Sequence, residues 1–280
     1  MAGTGHHTRP VHPALRPYVG DLTGYASYGE PLELHRGLPS RCMTLVITLD
    51  EPLGVAWPGQ PVDKFDALAG GLHSTAVHIG QTASRAGVQV SLTPPAAREL
   101  LGLPPGRLAS IVIGLDELFG RSARELTEQL REEPSWDGRF ALIESLLLQQ
   151  LGRHNAGTAQ PEVDWAWQRL CASHGAISVQ QLATEVSWSR RHLTDRFTRE
   201  LGLAPKVAAR VLRFERVTAH LRHHPKTRLA DLSAAAGYAD QAHLTREFQS
   251  IAGCSPRQWM TEELPNLQDF IPAGARVSEV

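Results

Sequence analysis

Residues 232–259 read LSAAAGYADQAHLTREFQSIAGCSPRQW, and the hexapeptide inside them, HLTREF at 243–248, has a near copy, HLTDRF, at 192–197. The offset is 243 − 192 = 51 residues, and it holds beyond the hexapeptide. Leu193, Thr194, Phe197, Gly202 and Pro205 recur as Leu244, Thr245, Phe248, Gly253 and Pro256. Upstream, Leu182-Ala183 corresponds to Leu232-Ser233, with the second turn one residue longer. Each copy reads as a short helix, a tight turn, an N-cap (Ser189 or Asp240) and a second helix. Small residues at Ala183 and at Ala234, Ala235 and Ala236 are expected to let the paired helices cross closely. Ser178, with Gln181 three residues on, has the form of a capping box.

This is the pattern of a helix-turn-helix, whose second helix lies in the DNA major groove. The expected recognition helices run from about 189 to 200 and from about 240 to 250. At 100° per residue, turning Leu193 and Phe197 inward points Arg191, Thr194 and Asp195 outward. In the second copy, Leu244 and Phe248 face inward, Thr245 and Arg246 face outward, and Gln241 stands at the N-terminal end. These are the candidate base readers. Arg bridges guanine O6 and N7, and Gln bridges adenine N6 and N7, each worth ~1–3 kcal/mol of discrimination. Asp195, four residues after Arg191, has the choice of steering that guanidinium or accepting from cytosine N4. A Leu/Phe pair with outward Arg also describes many solvated helices. Two copies sharing caps, turn and terminal Gly-x-x-Pro weigh against that blander reading.

Residues 177–260 resemble the DNA-binding domain of the AraC/XylS family of transcription regulators. Gly237, Tyr238, Asp240, His243, Phe248, Gly253, Ser255, Pro256 and Trp259 carry the likeness. The first copy departs at Ser187, where the family often has Gly, and at Ala204, where Ser is common. The resemblance implies that one linking helix, about 204–222, holds the two units rigidly. Their recognition helices would then enter successive major grooves, ~34 Å apart, on one face of the duplex. Arg190, Lys206, Arg210 and Arg228 are candidate phosphate contacts. It also implies an N-terminal domain that senses a small molecule or mediates self-association, in a one-component bacterial regulator.

Charge is distributed to match. Residues 1–162 hold 13 Lys+Arg and 17 Asp+Glu (−4), residues 163–262 hold 14 and 9 (+5), and the last 18 hold 1 and 3 (−2), which sum to the net −1. A basic segment in a near-neutral chain points to a nucleic-acid face on one domain. At 280 residues the chain is long enough for two domains. The polar stretch GRHNAGTAQPEV (152–163) marks the joint. The expected division is 1–155, a linker at 156–162, a reader at 163–262 and a tail at 263–280. The first part reads as α+β, a strand-rich sheet or barrel-like core followed by helices over 122–133 and 136–152; the second is all-α. CMTLVITL (42–49) and LASIVIGL (108–115) read as buried strands, too short to span a membrane. The apolar face of 136–152 either covers the sheet or forms a homodimer interface; both stay open.

The first half offers no catalytic constellation. Cys42, Cys171 and Cys254 are isolated, and the histidines at 12, 35, 73 and 78 are scattered. No metal and no cofactor is expected, and a reducing cytoplasm fits the cysteine usage. The expected partners are double-stranded DNA, a small-molecule effector, RNA polymerase if the protein activates, and a second protomer, but not a membrane. Two rivals remain: an enzyme in residues 1–155 with an attached DNA-binding domain, and an architectural binder with little sequence preference.

Overall fold

The computed structural model describes residues 5–28, 35–80, 84–154, 157 and 160–267. Among the described residues the first half holds ten strands: β1 (Gly5–Thr8), β2 (Val19–Tyr28), β3 (His35–Gly37), β4 (Met43–Thr48), β5 (Leu53–Ala56), β6 (Asp63–Phe65), β7 (Ala67–Gly70), β8 (Val77–Ile79), β9 (Ser84–Leu92) and β10 (Val112–Gly114). They form a six-stranded antiparallel sheet, ordered β1-β2-β9-β4-β7-β10, and a four-stranded one, ordered β3-β8-β5-β6. Period-two burial along β4 sends Met43, Leu45 and Ile47 to one face, beside Val88, Val90 and Leu92 of β9. Helices α1 (Pro94–Leu101), α2 (Leu115–Phe119), α3 (Arg121–Glu132) and α4 (Trp136–Gln150) follow or interrupt the strands. The shared core takes Ala96, Ala97 and Leu100 from α1 and Phe140, Ile143 and Leu147 from α4. A smaller cluster of Val55, Leu68 and Val77 draws on strands of both sheets.

The α+β reading of the first half holds, with both expected helices present as α3 and α4. The apolar side of α4 is used within the protomer, where Phe140, Ile143, Leu146 and Leu147 are buried. LASIVIGL is a correction: only Val112–Gly114 is a strand. The preceding Pro105–Arg107 turn passes Leu108 N–H to the Pro105 carbonyl, and Ser110 takes a left-handed φ of 56°. Both features break extended geometry, and Ile111 is left exposed. Helix α1 is the opposite case, since the strand-rich pattern hid it. Pro94 at its N1 position starts the helix and Gly102, at φ 73°, ends it.

The remainder is helical: α5 (Pro161–Ala172), α6 (Val179–Glu185), α7 (Arg190–Leu201), α8 (Pro205–His223), α9 (Leu229–Ala235), α10 (Gln241–Ala252) and α11 (Pro256–Leu267). Leu170, Leu182, Leu193, Phe197 and Leu212 join the same buried cluster as the sheet. Phe214, Val217, Leu244, Phe248 and Trp259 form a separate one. The linker positions 155, 156, 158 and 159, and the tail beyond 267, lie outside the described residues.

Candidate nucleic-acid interface

The two units α6–α7 and α9–α10 are built alike. Val186, Ser187 and Trp188 donate back to Leu182, Thr184 and Ala183; Ala236, Gly237 and Tyr238 donate to Leu232, Ala234 and Ser233. Ser187 at φ 56° and Gly237 at φ 79° occupy the equivalent left-handed position. Ser189 Oγ then accepts the His192 amide at 3.1 Å, and an Asp240 carboxylate oxygen accepts the His243 amide at 2.6 Å. The capping box at Ser178 and Gln181 opens α6 as its sequence indicates.

The recurring histidine has a structural part. The His192 ring stands edge-on to Trp188 at 4.5 Å between centroids, and His243 stands edge-on to Tyr238 at 5.3 Å. Each histidine therefore braces the turn in front of its own helix. The close crossing rests on Ala183 in the first unit and on Ser233 and Ala236 in the second, all nearly inaccessible. Ala234 and Ala235 are exposed, so the expectation for those two does not hold.

Leu193, Phe197, Leu244 and Phe248 are fully buried, and the exposed side of each second helix follows from that. Arg191 and Asp195 of α7, and Gln241 and Arg246 of α10, are exposed, while Thr194 and Thr245 are half-buried beside them. Arg190, Lys206 and Arg228 are exposed. Arg210 is engaged: its Nε donates to Glu247 at 3.0 Å and its Nη2 to Ser250 at 2.8 Å. Sequence reasoning missed Glu247 and Arg213. Glu247, three residues after Leu244 and next to Phe248, was a charge placed against an apolar stripe; its partner, 34 positions upstream, had no signal of its own.

The far ends of both second helices meet the N-terminal half. Gly106 packs on α7, where an added Cβ would stand 2.7 Å from the Arg199 carbonyl oxygen, and Arg98 holds Glu200 by two bonds of 2.8 and 2.5 Å. The Ala76 amide donates to the Ile251 carbonyl in the last turn of α10 at 2.7 Å. Beyond it, Arg36 Nη1 reaches Glu262 at 2.8 Å and Glu263 at 2.9 Å, and His35 Nδ1 lies 3.2 Å from Glu263. Arg41 Nε donates to Glu215 of α8 at 2.8 Å, and Leu38 packs on the core of the second unit. Burial alone would raise the Glu263 carboxyl, but hydrogen bonds from His35 and Arg36 outweigh it and hold it below the usual carboxylate value. Burial pushes the Cys42 thiol up to about 12 and Cys171 up to about 11, which keeps both protonated. Among the described residues no cluster of His, Cys, Asp and Glu has metal-holding geometry, and no helix is long and apolar enough to cross a membrane.

Two capped helix-turn-helix units with exposed reading helices define a DNA-binding transcription regulator. Residues 182–262 match the family model described as a helix-turn-helix domain, and this double unit is of the AraC type. No curated protein matches the chain in sequence. Among solved structures, the chain is similar to an apo variant of ToxT from Vibrio cholerae, at 8% identity over 86% of this chain and 97% of that one, with a TM-score of 0.52. It is also similar to ToxT from Vibrio cholerae O395 bound to (E)-4-(8-methylnaphthalen-1-yl)but-3-enoic acid, at 9% identity over 86% and 98%, with a TM-score of 0.51. At such identities the likeness is one of fold: a strand-rich first half followed by a helical reader.

Proposed function

We propose that this regulator is of the one-component type and reads two DNA subsites, one per helix-turn-helix unit, with its N-terminal half governing how the two reading helices are presented. The observation that carries this reading is the opposite placement of the two ends of α7 and α10. Their N-terminal turns are exposed, while their C-terminal ends lie against Gly106 and Ala76 of the N-terminal half. Arg191, Thr194 and Asp195 would read one subsite, and Gln241, Thr245 and Arg246 the other. Arg190, Lys206 and Arg228 take phosphates; Arg210, already serving Glu247 and Ser250, ranks below them.

The division at 1–155 and 163–262 assigns sensing to the first part and reading to the second. A small molecule bound to the first part, or self-association, would act by changing the contacts at Gly106, Ala76, Arg36 and Arg41. A protein of this fold holding an organic acid supports the small-molecule version. A homodimer would need a surface other than the apolar side of α4, which is buried within the protomer. The protein works in the cytoplasm on double-stranded DNA, without a catalytic step, and touches RNA polymerase where it activates.

The test is selection of bound duplexes from a random pool by the full-length chain at near-physiological salt. Two short subsites about one helical turn apart, ~34 Å, are expected. An enriched pool without a common site would overturn sequence-specific regulation in favour of an architectural binder, whose affinity would follow salt alone.

A further inference from the structure

Arg213, in the middle of α8, serves both reading units from one side chain. Its Nη1 donates to the Gly175 carbonyl at 3.3 Å, in the loop leading into the first unit. Its Nη2 donates to both carboxylate oxygens of Glu247 at 3.2 Å, within the second reading helix. The guanidinium also lies 5.5 Å from the ring centre of Tyr238, the turn aromatic of the second unit. Glu247 is only 7% exposed and takes Arg210 as its second partner. The Gly175 loop rests directly on the α8 backbone: its φ is 75°, and an added Cβ would stand 2.2 Å from the Ala209 carbonyl oxygen.

A single helix fixes the distance between two units but not their rotation about its axis. Apolar contacts such as Phe214 on Phe248 tolerate a small roll, because burial is non-directional. Hydrogen bonds are directional, and those to charged groups in a buried setting are the strong ones. A roll of either unit stretches a bond to the same guanidinium. We propose that Arg213 is a positioning residue that, with Glu247, sets the rotational phase between α7 and α10 and thereby the base-pair spacing accepted between the two subsites. The inference rests on the two-subsite reading above. Each base pair inserted between subsites moves the second by about 3.4 Å and turns it by roughly 35°. A phase held from both sides by one residue translates into intolerance of that turn.

The test compares dissociation constants of the full-length chain, at one salt concentration, for duplexes with the selected spacing, one base pair fewer and one more. The wild type is expected to favour one spacing sharply. Arg213→Lys keeps the cation but offers a point charge in place of the fork that serves two acceptors. It is expected to reduce the spacing preference at least about fivefold while a cooperative thermal transition shows the chain still folded. Glu247→Gln should move the preference the same way. Arg213→Lys with an unchanged spacing ratio, even if it binds all three duplexes more weakly, assigns Arg213 a merely structural part and overturns the inference. A wild type indifferent to spacing overturns instead the two-subsite reading on which it stands.

Discussion

Ser187 and Gly237 occupy the same turn position in the two units, and only one of them is a glycine. Both are left-handed, at φ 56° and 79°. A side chain with a Cβ costs roughly 1–2 kcal/mol in that conformation, and glycine returns part of the gain as unfolded-state entropy. Ser187→Gly is therefore expected to stabilise the protein by about 0.5–1 kcal/mol. The thermal midpoint should rise by ~1–2 °C with the selected DNA sequence unchanged. An unaltered or lower midpoint would mean that the Ser187 hydroxyl makes a compensating bond. Arg246 is the other residue whose part separates cleanly, since it is exposed on the side of α10 proposed to read bases. Arg246→Ala should cost about 1–3 kcal/mol and relax base preference in one subsite only, read by repeating the selection with the variant. Equal weakening on every sequence would make Arg246 a phosphate contact.

At the scale of the element, caps decide where a reading helix begins. Asp240 satisfies the His243 amide at the start of α10, and its removal by Asp240→Ala should destabilise the chain by about 0.5–2 kcal/mol. Hydrogen exchange should be faster in the first turn of α10 and unchanged in α7, whose cap is Ser189. That cap, the turn and the buried Leu–Phe pair were all legible, because each depends on residues within a few positions of one another and each was written twice. LASIVIGL failed for the same reason in reverse. Its apolar run obeyed a strand pattern, but Ser110 N–H is taken by the Leu72 carbonyl and the chain turns there. Helix α1 was hidden within a strand-rich half because proline ends strands, although it also suits a first helical turn, as Pro94 does here. The base-reading candidates were legible as an outward face; that Arg210 is turned towards Glu247 was not, since periodicity assigns a side chain to a face and not to a partner.

The whole molecule is held by contacts that no local pattern encodes. Arg36 and Glu263 are 227 positions apart, yet the guanidinium and carboxylate are 6% and 1% exposed and bonded at 2.9 Å. Breaking a buried pair by removing one partner costs about 3–5 kcal/mol, because the other charge is left unpaired. Arg36→Ala should therefore loosen the N-terminal half from α11, and limited proteolysis should cut the chain faster than in the wild type. The same carboxylate gives the interface a pH dependence of definite sign. Glu263 is held below its unfolded value, near pH 4.3, so the folded form favours the ionised carboxylate. Its contribution is complete above that value and is lost as pH falls through the lower, folded one. Other carboxylates also titrate there, so the informative quantity is the difference between the wild type and Glu263→Gln, which carries no ionisable group at that position. Unfolding free energies measured from about pH 6 down to about pH 3 should fall more steeply for the wild type, and the gap between the two proteins should narrow as Glu263 takes up its proton. Parallel curves would mean that Arg36 and His35 hold Glu263 no more tightly when it is charged, and the latch between the two halves would have to be sought at Arg98–Glu200 and Arg41–Glu215 instead.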